Sequence, residues 1–139
     1  IGKKLSSIAA ISYKEKIDSL SIDMIVPVPL FHKKHKKRGF NQAELIADIL
    51  GKNWHIPVIK DKLHKVRERP SQTGLGKWAR WENNKSSFIL INDHDFKNKH
   101  ILLVDDVITS GATIESLALP LTKVPGIKLS VFSLAFAAE

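Results

Sequence analysis

The sequence has 139 residues, of which 43% are hydrophobic and 26% charged. That is enough for one domain with its own core, and no apolar run is long enough to span a bilayer. It contains no cysteine, which excludes a disulfide framework, and no secretory pattern opens it, so the cytoplasm is the expected location. Its 22 Lys and Arg against 14 Asp and Glu leave a net charge of +8, with a pI near 9.8. An anionic partner is expected, whether nucleic acid, a diphosphorylated sugar or an acidic protein.

From Lys3 to Leu20 the apolar residues Leu5, Ile8, Ala9, Ile11 and Ile17 recur at near-helical spacing, which predicts one amphipathic helix ending at Ser21 and Asp23. Met24-Ile25-Val26-Pro27-Val28 is a nearly continuous apolar run, the pattern of a strand buried on both faces and ended by prolines. A basic connection, His32 to Gly39, leads into Asn41 and Glu44, which have the spacing of a helix capping box. Leu45, Ile46, Ile49 and Leu50 line one face after it, and Gly51 suits a left-handed closing residue. A helix is therefore expected over about Gln42 to Leu50.

Ile56 to Val66 holds extended pieces. Arg67 to Lys85 then turns polar, with Pro70, Gly74 and Gly76 as breakers and cations at Arg67, Arg69, Lys77 and Arg80. A connection of this length inside one domain is expected to be functional, as a lid over a site. Phe88 to Ile91, His100 to Val104 and Lys128 to Ala135 read as strands, and Thr113 to about Lys123 as a helix that Pro120 should kink. Strands alternating with helices predict an α/β fold, a mostly parallel open sheet flanked by helices in a single domain over residues 1–139.

The chemistry concentrates after the strand Ile101-Leu102-Leu103-Val104. Asp105 and Asp106 stand at its carboxyl end, and Thr109-Ser110-Gly111-Ala112-Thr113 opens the next helix. Open α/β sheets bind ligands at such a place. Gly111 permits close approach of the backbone, the helix amides attract a dianion, and the hydroxyls add donors. Two carboxylates repel that dianion, so they serve something beside it. Sugar hydroxyls and a hydrated Mg²⁺ are the natural candidates. Together these parts describe a pocket for a ribose carrying a 5-phosphate.

Val104 to Thr113 resembles, over its whole length, the phosphoribosyl-diphosphate motif of type I phosphoribosyltransferases. Val26-Pro27-Val28-Pro29-Leu30, then Arg38-Gly39-Phe40-Asn41-Gln42, then Arg67, Gln72, Arg80 and Asn83 resemble the competence protein F (ComF) branch of that family. The resemblance implies a phosphoribosyltransferase type I fold. It also implies that Asp105 and Asp106 hold the ribose hydroxyls, with Mg²⁺ near them directly or through water, and that Thr109, Ser110, Gly111, Ala112 and Thr113 wrap the 5-phosphate. Pro29 and Leu30 would meet the diphosphate of phosphoribosyl diphosphate through backbone amides. The chemistry implied is transfer of the phosphoribosyl group by displacement of diphosphate, with Arg67, Arg69, Lys77 and Arg80 on a closing lid. The branch commonly carries a cysteine-rich amino-terminal segment, of which this sequence has no cysteine. The acceptor is unreadable.

Other readings stand beside these. A strand ending in two aspartates also opens response-regulator receivers, but no Asp follows Asp106 to accept phosphate. Helix capping alone does not explain two acids together with the hydroxyl and glycine cluster. Lys33, Lys34, Lys36, Lys37 and Arg38 suit a solvated loop or contact with nucleic acid such as single-stranded DNA. Trp78 and Trp81 suit base stacking or core packing. Neither pair of alternatives is separated by the sequence. A non-catalytic module that senses the ligand, or binds nucleic acid or a protein of the DNA-uptake machinery, is the rival to the enzyme.

Overall fold

The computed structural model describes residues 2–29, 39–65 and 88–137. In chain order these form α1 (Gly2–Ser12), α2 (Lys14–Leu20), β1 (Met24–Pro27), α3 (Gln42–Trp54), β2 (Leu63–Lys65), β3 (Phe88–Leu90), a 3₁₀ turn (Asp93–Phe96), β4 (His100–Ile108), α4 (Ala112–Thr122) and β5 (Lys128–Phe136). The main sheet has the order β1-β4-β5, and both pairings are parallel. Residues around Val58 extend it beyond β1 through a parallel bridge to Ile25. This is the α/β sheet that the strand and helix alternation predicts.

Side-chain alternation along the strands divides the core in two. Val26, Ile101 and Leu103 pack with Leu117 and Leu121 of α4 on one face. Ile25, Leu102 and Val104 pack with Ile46, Ala47, Leu50 and Trp54 of α3 on the other. A strand covered by helices on both faces needs apolar residues at every position, which explains the unbroken run from Ile101 to Val104. Fully burying one such side chain stabilises the fold by roughly 1.5–3 kcal/mol. The short antiparallel pair β2 and β3 stands apart from this sheet. Leu63 and Phe88 tie it to the α4 face.

Several local expectations change. The single helix over Lys3 to Leu20 is two, separated at Tyr13. Its buried residues are Ser6, Ala10 and Ile17, while Leu5, Ile8 and Ile11 are exposed. Small residues let α1 lie close on α3, where Trp54 Nε1 donates to the Ala10 carbonyl at 2.7 Å. Gly51 does not close α3, which runs on to Trp54 and ends at His55 in the left-handed conformation, φ 57°. A Cβ on Gly51 would stand 2.8 Å from the Ile56 carbonyl and 2.5 Å from the Val58 side chain, so the glycine serves close packing. Helix α4 continues past Pro120 to Thr122, and β4 extends to Ile108, four residues beyond the expected Val104.

Candidate ribose-phosphate site

The site begins where β1 leaves the sheet. Pairing with β4 stops at Pro27 opposite Val104, and the Val28 amide makes one more bond to the Val104 carbonyl, at 2.8 Å. On its other side β4 stays paired with β5, Asp105 opposite Ser133 and Ile108 opposite Phe136. Residues 105–108 are therefore held by β5 and open toward β1. The connections from β1 and β4 also pass to opposite faces of the sheet, through α3 and α4. A crevice forms at such a switch point, beyond the carboxyl ends of the strands.

Asp105 and Asp106 are both partly buried there. Each carboxylate accepts the amide of the following residue: Asp106 N–H donates to Asp105 Oδ1 and Val107 N–H to Asp106 Oδ1, both at 2.8 Å. No cationic side chain among the described residues pairs with either. Burial pushes the Asp105 carboxyl up to about 6, and the Asp106 side chain adds to the rise, while the Asp106 amide opposes it. A group in this condition gains from a cation or hydroxyl donors brought by a ligand.

Two hollows meet at Asp105. The smaller, about 40 Å³, is lined by Asp105, Val107 to Thr113 and Ile114. Gly111 is one of its lining residues and has φ 79°, the left-handed conformation that lets the chain turn from β4 into α4. Thr109, Ser110, Ala112 and Thr113 are exposed around it, and the Ser110 hydroxyl accepts loosely from the Ala112 amide at 3.4 Å. The first amides of a helix lack partners within it, so the turn presents donors to an anion. The expected phosphate loop is thus brought together with the acid pair.

The larger hollow, about 300 Å³, is lined by Val28, Phe40, Asn41, Gln42, Ala43, Asp105 and Asp106. Sequence reasoning gave Asn41 only a capping role. Its Oδ1 does accept the Ala43 amide at 3.0 Å, but Nδ2 donates to Glu44 Oε1 at 3.2 Å and also to the buried Val28 carbonyl at 3.0 Å. The box is therefore not the reciprocal one, in which Glu44 would return to the Asn41 amide. Pro29 lies at this exit and carries no backbone N–H, so it cannot donate to a diphosphate as expected. Leu30, the basic run Lys33, Lys34, Lys36, Lys37 and Arg38, and the lid cations Arg67, Arg69, Lys77 and Arg80 lie outside the described residues.

Two adjacent oxygen-bearing side chains with a raised carboxyl pKa fit a hard cation that keeps waters and substrate phosphates as its other ligands. Among the described residues there is no cluster of three or more His, Cys, Asp or Glu that could hold a metal by itself. A metal held here would take its remaining ligands from water and a bound phosphate.

No protein-family model matches the chain. It is 34% identical over 116 residues to competence protein F of Haemophilus influenzae, covering 83% of this chain and 51% of that protein. It is 33% identical over 96 residues to the DNA utilization protein YhgH of Escherichia coli, covering 69% of this chain and 41% of that protein. The chain thus spans about half or less of the length of these curated relatives. Its fold is similar to that of a purine phosphoribosyltransferase from Pyrococcus horikoshii, with a TM-score of 0.60 at 21% identity, covering 95% of this chain and 73% of that one. Sequence kinship makes this chain a member of the competence protein F (ComF) family, with the fold of the type I phosphoribosyltransferases.

Proposed function

We propose that the chain binds phosphoribosyl diphosphate with Mg²⁺ and transfers its phosphoribosyl group to an acceptor. The observation that carries this reading is the meeting, at the half-buried Asp105, of the hollow of the Thr109 to Thr113 turn with the hollow that Asp105 and Asp106 both line, at the switch point of the sheet. Amides and hydroxyls of the turn hold the 5-phosphate, and the two carboxylates accept from the ribose hydroxyls. The anomeric carbon is then fixed beside the larger hollow. An acceptor forms a bond to that carbon while the bond to the diphosphate oxygen breaks, and the diphosphate leaves with the electron pair. Mg²⁺, when bound, neutralises charge on that leaving group. The chain's own share is positioning and electrostatics, with no covalent protein intermediate.

Calorimetric titration with phosphoribosyl diphosphate, with and without Mg²⁺, tests the reading. Metal-dependent binding, abolished by the double change Asp105→Asn and Asp106→Asn, is expected. Unchanged affinity in the double variant would refute the site assignment.

A second reading has its own support. The relatives are named for competence and for DNA utilization, and the net charge is +8. In this reading the pocket senses a ribose-phosphate ligand without turning it over, and Lys33, Lys34, Lys36, Lys37 and Arg38 contact single-stranded DNA or an acidic partner in DNA uptake. Affinity for an oligonucleotide that falls steeply with salt, unaltered by the double Asp change and accompanied by no diphosphate release, favours it. A cytoplasmic location suits both readings. No helix among the described residues is long and apolar enough to cross a membrane.

A further inference from the structure

We infer that Asn41 is a positioning residue that clamps both ends of the 29–40 connection at the rim of the acid-pair hollow, and so sets the affinity for a diphosphate. The inference rests on the proposed phosphoribosyl diphosphate site and takes that hollow, beside which the anomeric carbon is fixed, as its diphosphate side.

Asn41 is 3% exposed and one of two buried polar residues among those described. Its carboxamide is almost fully committed. Oδ1 accepts from Ala43 at the start of α3, one Nδ2 hydrogen goes to Glu44 Oε1, and the other goes to the carbonyl of Val28, a residue 13 positions earlier. Capping needs only the first of these bonds. The bond to Val28 does different work. Val28 is the last residue before Pro29, and its own N–H is held by the Val104 carbonyl, one residue before Asp105. Val28 is thus pinned on one side to the strand that carries the acids and on the other to the helix that follows the connection. Val28, Asn41, Asp105 and Asp106 all line the same hollow.

An acceptor-only cap such as Asp, or a short hydroxyl, would satisfy the helix equally well. What those side chains lack is a donor that reaches Val28. Without it the Val28 carbonyl keeps no partner among the described residues, and the strand exit relaxes away from β4. The 5-phosphate turn lies beyond Asp105 on the other side and shares no hydrogen bond with Asn41 among the described residues. A defect at Asn41 should therefore reach the diphosphate half of a ligand and spare the ribose 5-phosphate half.

The test compares wild type with Asn41→Ser, which keeps the cap, in two measurements on the full chain. The first is affinity for phosphoribosyl diphosphate and for ribose 5-phosphate, both with Mg²⁺. The variant is expected to lose affinity for the diphosphate ligand by about tenfold and for ribose 5-phosphate by less than about twofold. Equal loss for both ligands, or no loss for either, overturns the inference, because a residue that only supports the fold would weaken both alike. The second is amide hydrogen exchange without ligand. The Val28 amide is expected to exchange on the order of tenfold faster in the variant, with the Ala43 amide unchanged. Should wild type bind neither ligand, the proposed function falls, and exchange alone decides the clamp. Faster exchange at Val28 with Ala43 unchanged upholds it, and any other pattern overturns it.

Discussion

The backbone N–H of Asp106 donates to the Asp105 carboxylate at 2.8 Å, yet the Asp105 carboxyl is pushed up to about 6. The amide bond alone would lower it. Burial outweighs that bond, and the neighbouring Asp106 side chain adds to the rise. Asp105 is thus ionised at neutral pH but close to taking up a proton in mild acid. Binding of a ligand that needs Asp105 ionised should weaken as pH falls from about 7 through about 6. Titrations of phosphoribosyl diphosphate with Mg²⁺ at several pH values check this. A flat profile between pH 5 and 7, roughly the window that this shift defines, would remove Asp105 from the binding step.

The same shift has a consequence for stability. The folded carboxyl takes up its proton at about 6 against an ordinary 3.8, so the folded state binds more protons than the unfolded one between those values. Stability contributed by this group therefore falls as pH rises through that window and stays low above it. Asp105→Asn, a neutral side chain of the same shape, should be more stable than wild type at pH 7, by about 1 kcal/mol after discounting for partial exposure. The difference should vanish near pH 4. Urea unfolding at the two pH values measures it, and a variant less stable at neutral pH would show that Asp105 is not strained when unliganded.

Gly51 of α3 leaves no room for a side chain. Gly51→Ala places a methyl group 2.8 Å from the Ile56 carbonyl and 2.5 Å from the Val58 side chain. The first of these is backbone, which moves only with the turn after α3. The gain in helix propensity, about 1 kcal/mol, should be outweighed, leaving a net loss of about 1–2 kcal/mol. Thermal unfolding of the variant checks the sign. A more stable Gly51→Ala would mean that the turn at His55 yields freely.

That glycine also shows why parts of the fold were legible and parts were not. The strand Ile101 to Val104 and the loop Thr109 to Thr113 could be placed because their chemistry is local: an apolar run needs two covered faces, and a glycine among hydroxyls needs a turn. Gly51 was misread because a close approach between α3 and the following segment is a tertiary fact, and at a helix end the two uses of glycine look alike. For the same reason the spacing of Leu5, Ile8 and Ile11 suggested a buried stripe, whereas the close contact of α1 with Trp54 selects the small residues Ser6 and Ala10. The acid pair was found in the sequence, but the bond from Asn41 to Val28 spans the whole basic connection and no spacing rule announces it.

Trp54 gives a test of that helix contact. Its indole N–H donates to the Ala10 carbonyl at 2.7 Å, and its ring meets Phe132 of β5 edge-on at 6.1 Å between centroids. Trp54→Phe keeps an aromatic ring but removes the donor, leaving a buried carbonyl without its partner. A loss of about 1–3 kcal/mol is expected. Amide exchange in α1 should quicken before that in β4. Uniform acceleration would instead mean that α1 and the sheet open as one unit.

The turn into α4 gives the sharpest separation between stability and binding. Gly111 has φ 79°, and a Cβ built there meets no atom of the described residues within 4 Å, its chain neighbours apart. Gly111→Ala therefore meets no clash in the fold and costs only the left-handed backbone strain, roughly 1–2 kcal/mol. Gly111 lines the same hollow as Asp105 and the rest of Thr109 to Thr113, where the 5-phosphate is proposed to approach the backbone. The added methyl should weaken ribose 5-phosphate binding on the order of tenfold or more while the protein remains folded. Circular dichroism confirms the fold, and titration with ribose 5-phosphate reads the effect. Affinity equal to wild type would mean that the phosphate does not approach Gly111, and the anion site would have to be sought elsewhere along residues 109–113.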